Sequence, residues 1–171
     1  MKNRIREEIP GDLKAIHRIH ELAFDSPVEA QLVDLLRSRG KAIISLVAVD
    51  GEEVVGHILF SPVTIDPPAP DWNALGLAPI GVIPELQSQG IGKALIKNGL
   101  ERCKNLGFQL VVVLGDPAYY TTFGFKRALD YGLHNEYQAD EHFMVLEFTP
   151  GVLKAYSGLV KYAQEFNETG C

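Results

Sequence analysis

The chain has 171 residues, 46% of them apolar and 22% charged, which is enough for one domain with a full core and matches the balance of an ordinary globular protein. Sixteen Lys and Arg against twenty-two Asp and Glu give a net charge of −6, which argues against a general nucleic-acid binder. Two cysteines, Cys103 and Cys171, give neither a metal spacing nor a disulfide framework. The N-terminal MKNRIREEIPGD carries no hydrophobic stretch, so no signal peptide is expected, and no apolar run approaches membrane-spanning length. A cytoplasmic protein without membrane or nucleic-acid partners is the expectation.

In chain order, RIREEI (Arg4 to Ile9) has strand character and stops at Pro10-Gly11. Asp12 is placed to cap a helix whose apolar positions Leu13, Ile16, Ile19, Leu22 and Ala23 recur every three or four residues. Ser26-Pro27-Val28-Glu29 reads as a capping box with proline at the first helical position, and Gly40 closes the second helix. AIISLVAVD (Ala42 to Asp50) and EVVGHILFSPVTID (Glu53 to Asp66) read as strands joined at Asp50-Gly51. PPAPDWN (Pro67 to Asn73) cannot be helix. A buried strand over Leu75–Ile83 leads into a turn, and from Gly90 a helix runs through Gly92, Leu95, Ile96, Gly99, Cys103 and Leu106 to a stop at Gly107. FQLVVVLGD (Phe108 to Asp116) is a further buried strand, PAYYTTFGF (Pro117 to Phe125) a short helix ending in a glycine turn, and HFMVLEF (His142 to Phe148) a last strand. An additional strand near Phe125–Leu129 and the form of the tail from Gly151 are left open. The order β-α-α-β-β-β-α-β-α-β joins a hairpin to a βαβ crossover, which implies a mixed α/β (α+β) sheet with helices on both faces.

The turn QSQGIG (Gln87 to Gly92) sits where a strand hands over to a helix. The first helical amides lack intrahelical partners and the helix dipole is positive there, so such a turn suits a phosphate. A P-loop fails here, because Gln87 replaces its first glycine and Ala94 its Ser or Thr. A dinucleotide fingerprint fails at Leu95, where its third glycine belongs. The remaining pattern, [QR]-x-x-G-x-[GA], is met by Gln87-Ser88-Gln89-Gly90-Ile91-Gly92.

This loop resembles the acyl-CoA pyrophosphate loop of the GCN5-related N-acetyltransferases (GNAT). Tyr120-Thr121-Thr122-Phe123-Gly124-Phe125 resembles that family's closing Y-x-x-x-G-F element, and the two motifs stand in the family's order. The runs LGDPAYYTTFGF (Leu114 to Phe125) and VVGHILFSPV (Val54 to Val63) are similar to the YhbS-like branch. The resemblance covers about Arg4 to Phe148. It implies the acyl-CoA N-acyltransferase fold, a central, mostly antiparallel mixed sheet whose fourth and fifth strands, Leu75–Ile83 and Leu110–Leu114, are parallel and splay apart around the pantetheine arm. It also implies a domain over 1–149 with 150–171 as a C-terminal extension. The activity implied is transfer of an acetyl group from acetyl-CoA to a primary amine of a small molecule or a protein, without a metal. The alternative is an acyl-CoA sensor that keeps the loop without turnover. A homodimer is compatible with the resemblance.

By family position, Ile80, Gly81, Val82, Gln87, Ser88, Gln89, Gly90, Ile91, Gly92, Lys93 and Tyr120 contact the donor. The Val82 backbone amide is the oxyanion donor, with Gly81 beside it, and Tyr120 is the general acid for the departing thiolate. The family's Asn contact is not carried over, because Gly115-Asp116-Pro117 stands in its place. An alkylamine is mostly protonated at neutral pH, with a pKa near ~10.4, so a base must help. Asp116, Glu21, His57 and His134 are candidates for it. On the residues alone, His57 reads as a hydrogen-bonded core histidine, Tyr119 as packing and Glu85 as solvated. His17 and His20 read as a surface pair without a third metal ligand. Cys103 reads as a core thiol and Cys171 as exposed.

Overall fold

The computed structural model describes residues 4–171, so the first three residues of the expected domain lie outside it. Its contacts divide the chain into two compact units. One holds Met1–Ser61, Ala78–Arg102 and Gln164–Cys171; the other holds Pro62–Leu77 and Cys103–Ala163.

In the first unit, β1 (Arg4–Glu7) and β2 (Ile44–Asp50) pair antiparallel, and β2 pairs antiparallel with β3 (Glu53–Asp66). The β2–β3 hairpin turns at Gly51, where φ is +64° and a side chain would strain the turn. α1 (Leu13–Phe24) and α2 (Val28–Ser38) pack against each other. α3 (Ile91–Asn105) follows β4 (Ala74–Val82). Alternation along β3 decides which helix covers which face. A β-carbon on Gly56 would meet Leu95 and Ile91 of α3, and Phe60 lies against Gly99 of the same helix. His57, on the opposite face, meets His20 of α1. Helices therefore cover both faces of this part of the sheet. Ile16, Leu36, Leu46, Ile58, Phe60 and Leu95 are fully buried between these layers.

Three local features differ from those expected of the sequence. Asp12 does not cap α1: its carboxylate turns back to accept from the Ile9 amide (2.8 Å) and to pair with Arg6 (2.7 Å). At α2 no capping box forms. Pro27 precedes the helix and Ser26 Oγ accepts directly from the Val28 amide (3.2 Å). Leu106 lies beyond the last turn of α3 and is 60% exposed, whereas Leu95, Ile96 and Cys103 are buried as their spacing requires.

In the second unit, the N-terminal part of β4 pairs parallel with β5 (Leu110–Leu114) over only Ala74↔Leu110 to Gly76↔Val112, the short ladder that splayed strands leave. β5 pairs antiparallel with β8 (Phe143–Glu147), which also pairs with β6 (Lys126–Arg127). β6 is the strand left open near Phe125–Leu129. The tail from Gly151 forms a 3-10 turn, Val152–Ala155, and then β9 (Gly158–Lys161). β9 pairs antiparallel with the end of β3 and parallel with β7 (Leu133–Asn135), a strand with no clear sequence signal. The last element, α5 (Gln164–Thr169), belongs to the first unit and packs on α2. Among the described residues, no helix is long and apolar enough to cross a membrane.

Candidate active site

The loop between β4 and α3 is built by its local chemistry. Pro84–Leu86 forms a single 3-10 turn, Gln87 is extended, and Ser88 and Gly90 both take positive φ, +63° and +91°. A β-carbon at Gly90 would have nothing within 4 Å, so glycine is needed there for its backbone conformation and not for space. Gln87 Nε2 donates to the Val82 carbonyl (3.0 Å) and ties the loop to the end of β4. Ala94 N donates to the Gly90 carbonyl (3.1 Å), the first closed turn of α3. The amides of Ile91, Gly92 and Lys93 therefore precede the intrahelical ladder and crown the helix end. Ile91 is buried and anchors the turn, while Ser88, Gln89, Gly90 and Lys93 are exposed. Free backbone amides at a helix N-terminus suit an anion without any basic side chain.

On β4, Ile80 is half-buried and Gly81 and Val82 are buried. Gly81 presents bare backbone to α1, where a β-carbon would come 3.0 Å from His20 Nδ1.

In the second unit, α4 (Pro117–Tyr120) opens with Asp116, whose carboxylate accepts from the Ala118 amide (3.0 Å). The helix tightens through Thr121–Phe123 and ends at Gly124 with φ +94°. Tyr120 lies within an aromatic group, its ring centre 5.6 Å from Phe125 and 5.2 Å from Tyr119. It also packs directly over Gly115. Burial, reinforced by Tyr119, pushes the Tyr120 phenol up to about 12, so its proton is retained throughout the neutral range. Tyr119 is half-buried and packs on Phe123, as expected for a packing residue.

Each candidate base has its own local partners. Asp116 serves as the cap just described. Glu21 is exposed beside His17 (3.7 Å), and His134 is half-exposed and paired with Asp140 (2.9 Å). His57 is a buried, hydrogen-bonded histidine, as read from the sequence. The surface pairing of His17 with His20 is corrected. His17 does pair at the surface, with Asp34 (2.8 Å), but His20 is fully buried and meets His57 at 2.7 Å. Its place four residues after Ile16 on the apolar stripe was the available signal. Cys171 is half-buried, not exposed. Glu85 is exposed, as expected.

A mixed sheet with a short parallel β4/β5 ladder, and a glycine-bearing cradle between β4 and α3, define the class of acyl-CoA N-acyltransferase folds. Comparison with known proteins makes the assignment specific. The chain belongs to the GNAT acetyltransferase family, whose domain model matches residues 4–128. It is 37% identical over 165 residues to the uncharacterized N-acetyltransferase YhbS of Escherichia coli (strain K12), covering 95% of this chain and 98% of that protein. The crystal structure of E. coli YhbS in complex with CoA superposes with a TM-score of 0.92 at 36% identity, over 98% of this chain and 93% of that one. A GNAT acetyltransferase from Brucella melitensis, in complex with acetyl-CoA, matches with a TM-score of 0.80 at 35% identity, over 96% and 98% of the two chains.

Proposed function

We propose that this protein is an acetyl-CoA-dependent N-acetyltransferase of the cytoplasm that acetylates a primary amine on a small molecule or a protein. The observation that carries the reading is the β4–α3 loop. Two positive-φ residues and a free helix end offer backbone donors to a diphosphate without any basic side-chain cluster. Two relatives at 35% and 36% identity were crystallised with acetyl-CoA and CoA, which supports the same donor here. Residues 1–149 form the catalytic domain in this reading, with 150–171 as its extension.

Gln87, Ser88, Gln89, Gly90, Ile91, Gly92 and Lys93 hold the diphosphate, and the backbone of Ile80 and Gly81 lines the donor's arm. When bound, the donor supplies a thioester whose carbonyl carbon is the electrophile. The Val82 amide meets the oxygen on which charge develops, a contact that strengthens as the reaction proceeds. Tyr120 holds its proton in the resting protein and releases it as charge builds on the departing sulfur. A raised phenol pKa suits a donor that must stay protonated until then.

The test is a screen of small primary amines and protein amino groups, following free CoA release from acetyl-CoA. Turnover with at least one amine class supports the reading. Calorimetric acetyl-CoA binding with no turnover on any acceptor would instead mark an acyl-CoA sensor.

A further inference from the structure

We propose that His20, at the end of a buried hydrogen-bonded chain that starts at Glu8, is the base that takes the proton from the acceptor amine. This rests on the acetyltransferase reading above. The chain lies entirely within the first unit. Arg37 clamps the Glu8 carboxylate through Nε (2.8 Å) and a terminal guanidinium nitrogen (2.9 Å). Ser45 Oγ meets Glu8 on one side and His57 Nε2 (2.7 Å) on the other. His57 Nδ1 meets His20 Nε2 (2.7 Å).

The direction of every bond follows from its first member. An ionised carboxylate only accepts, so Ser45 donates to Glu8. The Ser45 oxygen then accepts from His57 Nε2–H, which leaves the neutral His57 with its lone pair on Nδ1. His57 Nδ1 accepts from His20 Nε2–H, and His20 is left with a lone pair on Nδ1. That atom is buried and has no hydrogen-bond partner among the described residues. A buried acceptor without a donor is costly and calls for a use. It lies against Gly81, the residue that precedes Val82 and has no side chain to cover it.

Glu8 stays ionised. Burial alone would raise its pKa, but hydrogen bonds from His57, Arg37 and Ser45 and the charge on Arg37 hold it well below the usual carboxylate range. Both rings stay neutral. Burial, then the neighbouring His57, His17 and Arg37, lowers His20 to about 3. His57 is lowered by burial and Arg37 against the opposing pull of Glu8 and Asp12. The base is thus unprotonated when the amine arrives. As the amine nitrogen bonds to the thioester carbonyl carbon, its proton passes to His20 Nδ1. The C–S bond breaks and the sulfur takes the proton of Tyr120, which regains one from solvent, so no oxidant or co-reactant is consumed. The proton held by the rings, faced by Glu8, returns to solvent after release. Glu8, Ser45 and His57 are positioning residues that fix the His20 tautomer.

Nitrogen-15 NMR of the histidine rings in the intact protein tests the tautomer without any acceptor. Both rings should carry their proton on Nε2, with His20 Nδ1 bare. A proton on His20 Nδ1 would overturn the proposal. With an amine that the wild type acetylates, His20→Gln should lose roughly 10²-fold or more in turnover, with acetyl-CoA affinity retained. Ser45→Ala keeps both imidazoles and should give a smaller loss together with mixed tautomer signals. Wild-type turnover in His20→Gln overturns the base assignment; if that variant does not fold, unchanged turnover and tautomer in Ser45→Ala do so. A wild type that binds acetyl-CoA yet acetylates nothing fails the acetyltransferase reading itself, and the role of His20 falls with it. A loss confined to the variants cannot arise in that way.

Discussion

The ring of Tyr120 packs on the α-carbon of Gly115, in the space that any β-carbon at position 115 would occupy. Gly115 therefore sets where the phenol lies, in the place where the family's Asn contact could not be carried over. Gly115→Ala should push the ring off its seat. The expected cost is about 1–3 kcal/mol of stability, as for other overpacked cores. Turnover should fall further than the stability loss explains, because the phenol is displaced. Denaturant unfolding and CoA release on the same samples separate the two effects. Normal stability and rate in the Gly115→Ala variant would show that the ring is free to move aside.

Tyr120→Phe keeps the packing and removes only the hydroxyl. Turnover should drop roughly 10²–10⁴-fold, about 2.7–5.4 kcal/mol of barrier. Acetyl-CoA affinity and melting temperature should barely change. A tyrosine that merely packs predicts equal rates across a pH series, and that result would remove Tyr120 from the mechanism.

Gly90 stands at φ +91° with open space around its α-carbon. Substitution acts there through backbone strain, not through collision. Gly90→Val should weaken acetyl-CoA by at least ~1.4 kcal/mol, tenfold in Kd, because the loop must rotate out of the left-handed region and its amides with it. Gly90→Ala should do the same to a lesser degree. Unchanged calorimetric affinity in a folded Gly90→Val variant would move the diphosphate elsewhere.

The two buried histidines also set a pH dependence of stability. His20 is lowered to about 3 from 6.5, so below pH 6.5 the unfolded chain takes up protons that the folded chain refuses. Stability should therefore fall as pH drops from about 6.5 toward about 3. Glu8, lowered from 4.5, stabilises above that value and loses its contribution as the pH falls further. Between those two values the slope belongs largely to the histidines. His20→Gln should flatten it in urea titrations at stepped pH. Parallel curves for the two proteins would mean that His20 titrates normally in the fold.

Elements with strong periodicity were legible in the sequence, and so was the glycine turn between β4 and α3. Glu53–Asp66 came out as a strand to the residue, and the Gln87–Gly92 motif fell at a strand–helix junction because glycine spacing reports a backbone need directly. What escaped depends on tertiary partners. Asp12 had the composition of a cap, but Arg6 offered a stronger charged partner. β7 and β9 are three and four residues long and pair with each other, and β9 also pairs with the end of β3, so their order comes from tertiary partners. The Glu8–Ser45–His57–His20 chain draws on the loop after β1 and on β2, β3 and α1, and no local spacing announces such a set.

Glu165 on α5 is fully buried, yet it is ionised between Lys41 (2.9 Å) and Arg39 (3.1 Å). Burial would raise its pKa, but the hydrogen bonds from Lys41 and Arg39 prevail and lower it. A buried carboxylate depends on its partners more than the partners depend on it. Lys41→Met should thus hurt more than the loss of a surface charge, by about 1–3 kcal/mol for a buried group left short of a donor. The value stays below that of a fully buried pair because Lys41 and Arg39 are themselves about one-third exposed and screened by solvent. Glu165→Gln, which removes the charge but keeps the shape, should cost less than Lys41→Met. Hydrogen exchange should localise the damage, with faster exchange at Gln164–Thr169 and little change in the loop at Gln87–Gly92. Acetyl-CoA affinity should hold in both variants. If Lys41→Met leaves both stability and exchange in α5 unchanged, the ion pairs do not hold the tail, and burial of Phe166 alone does.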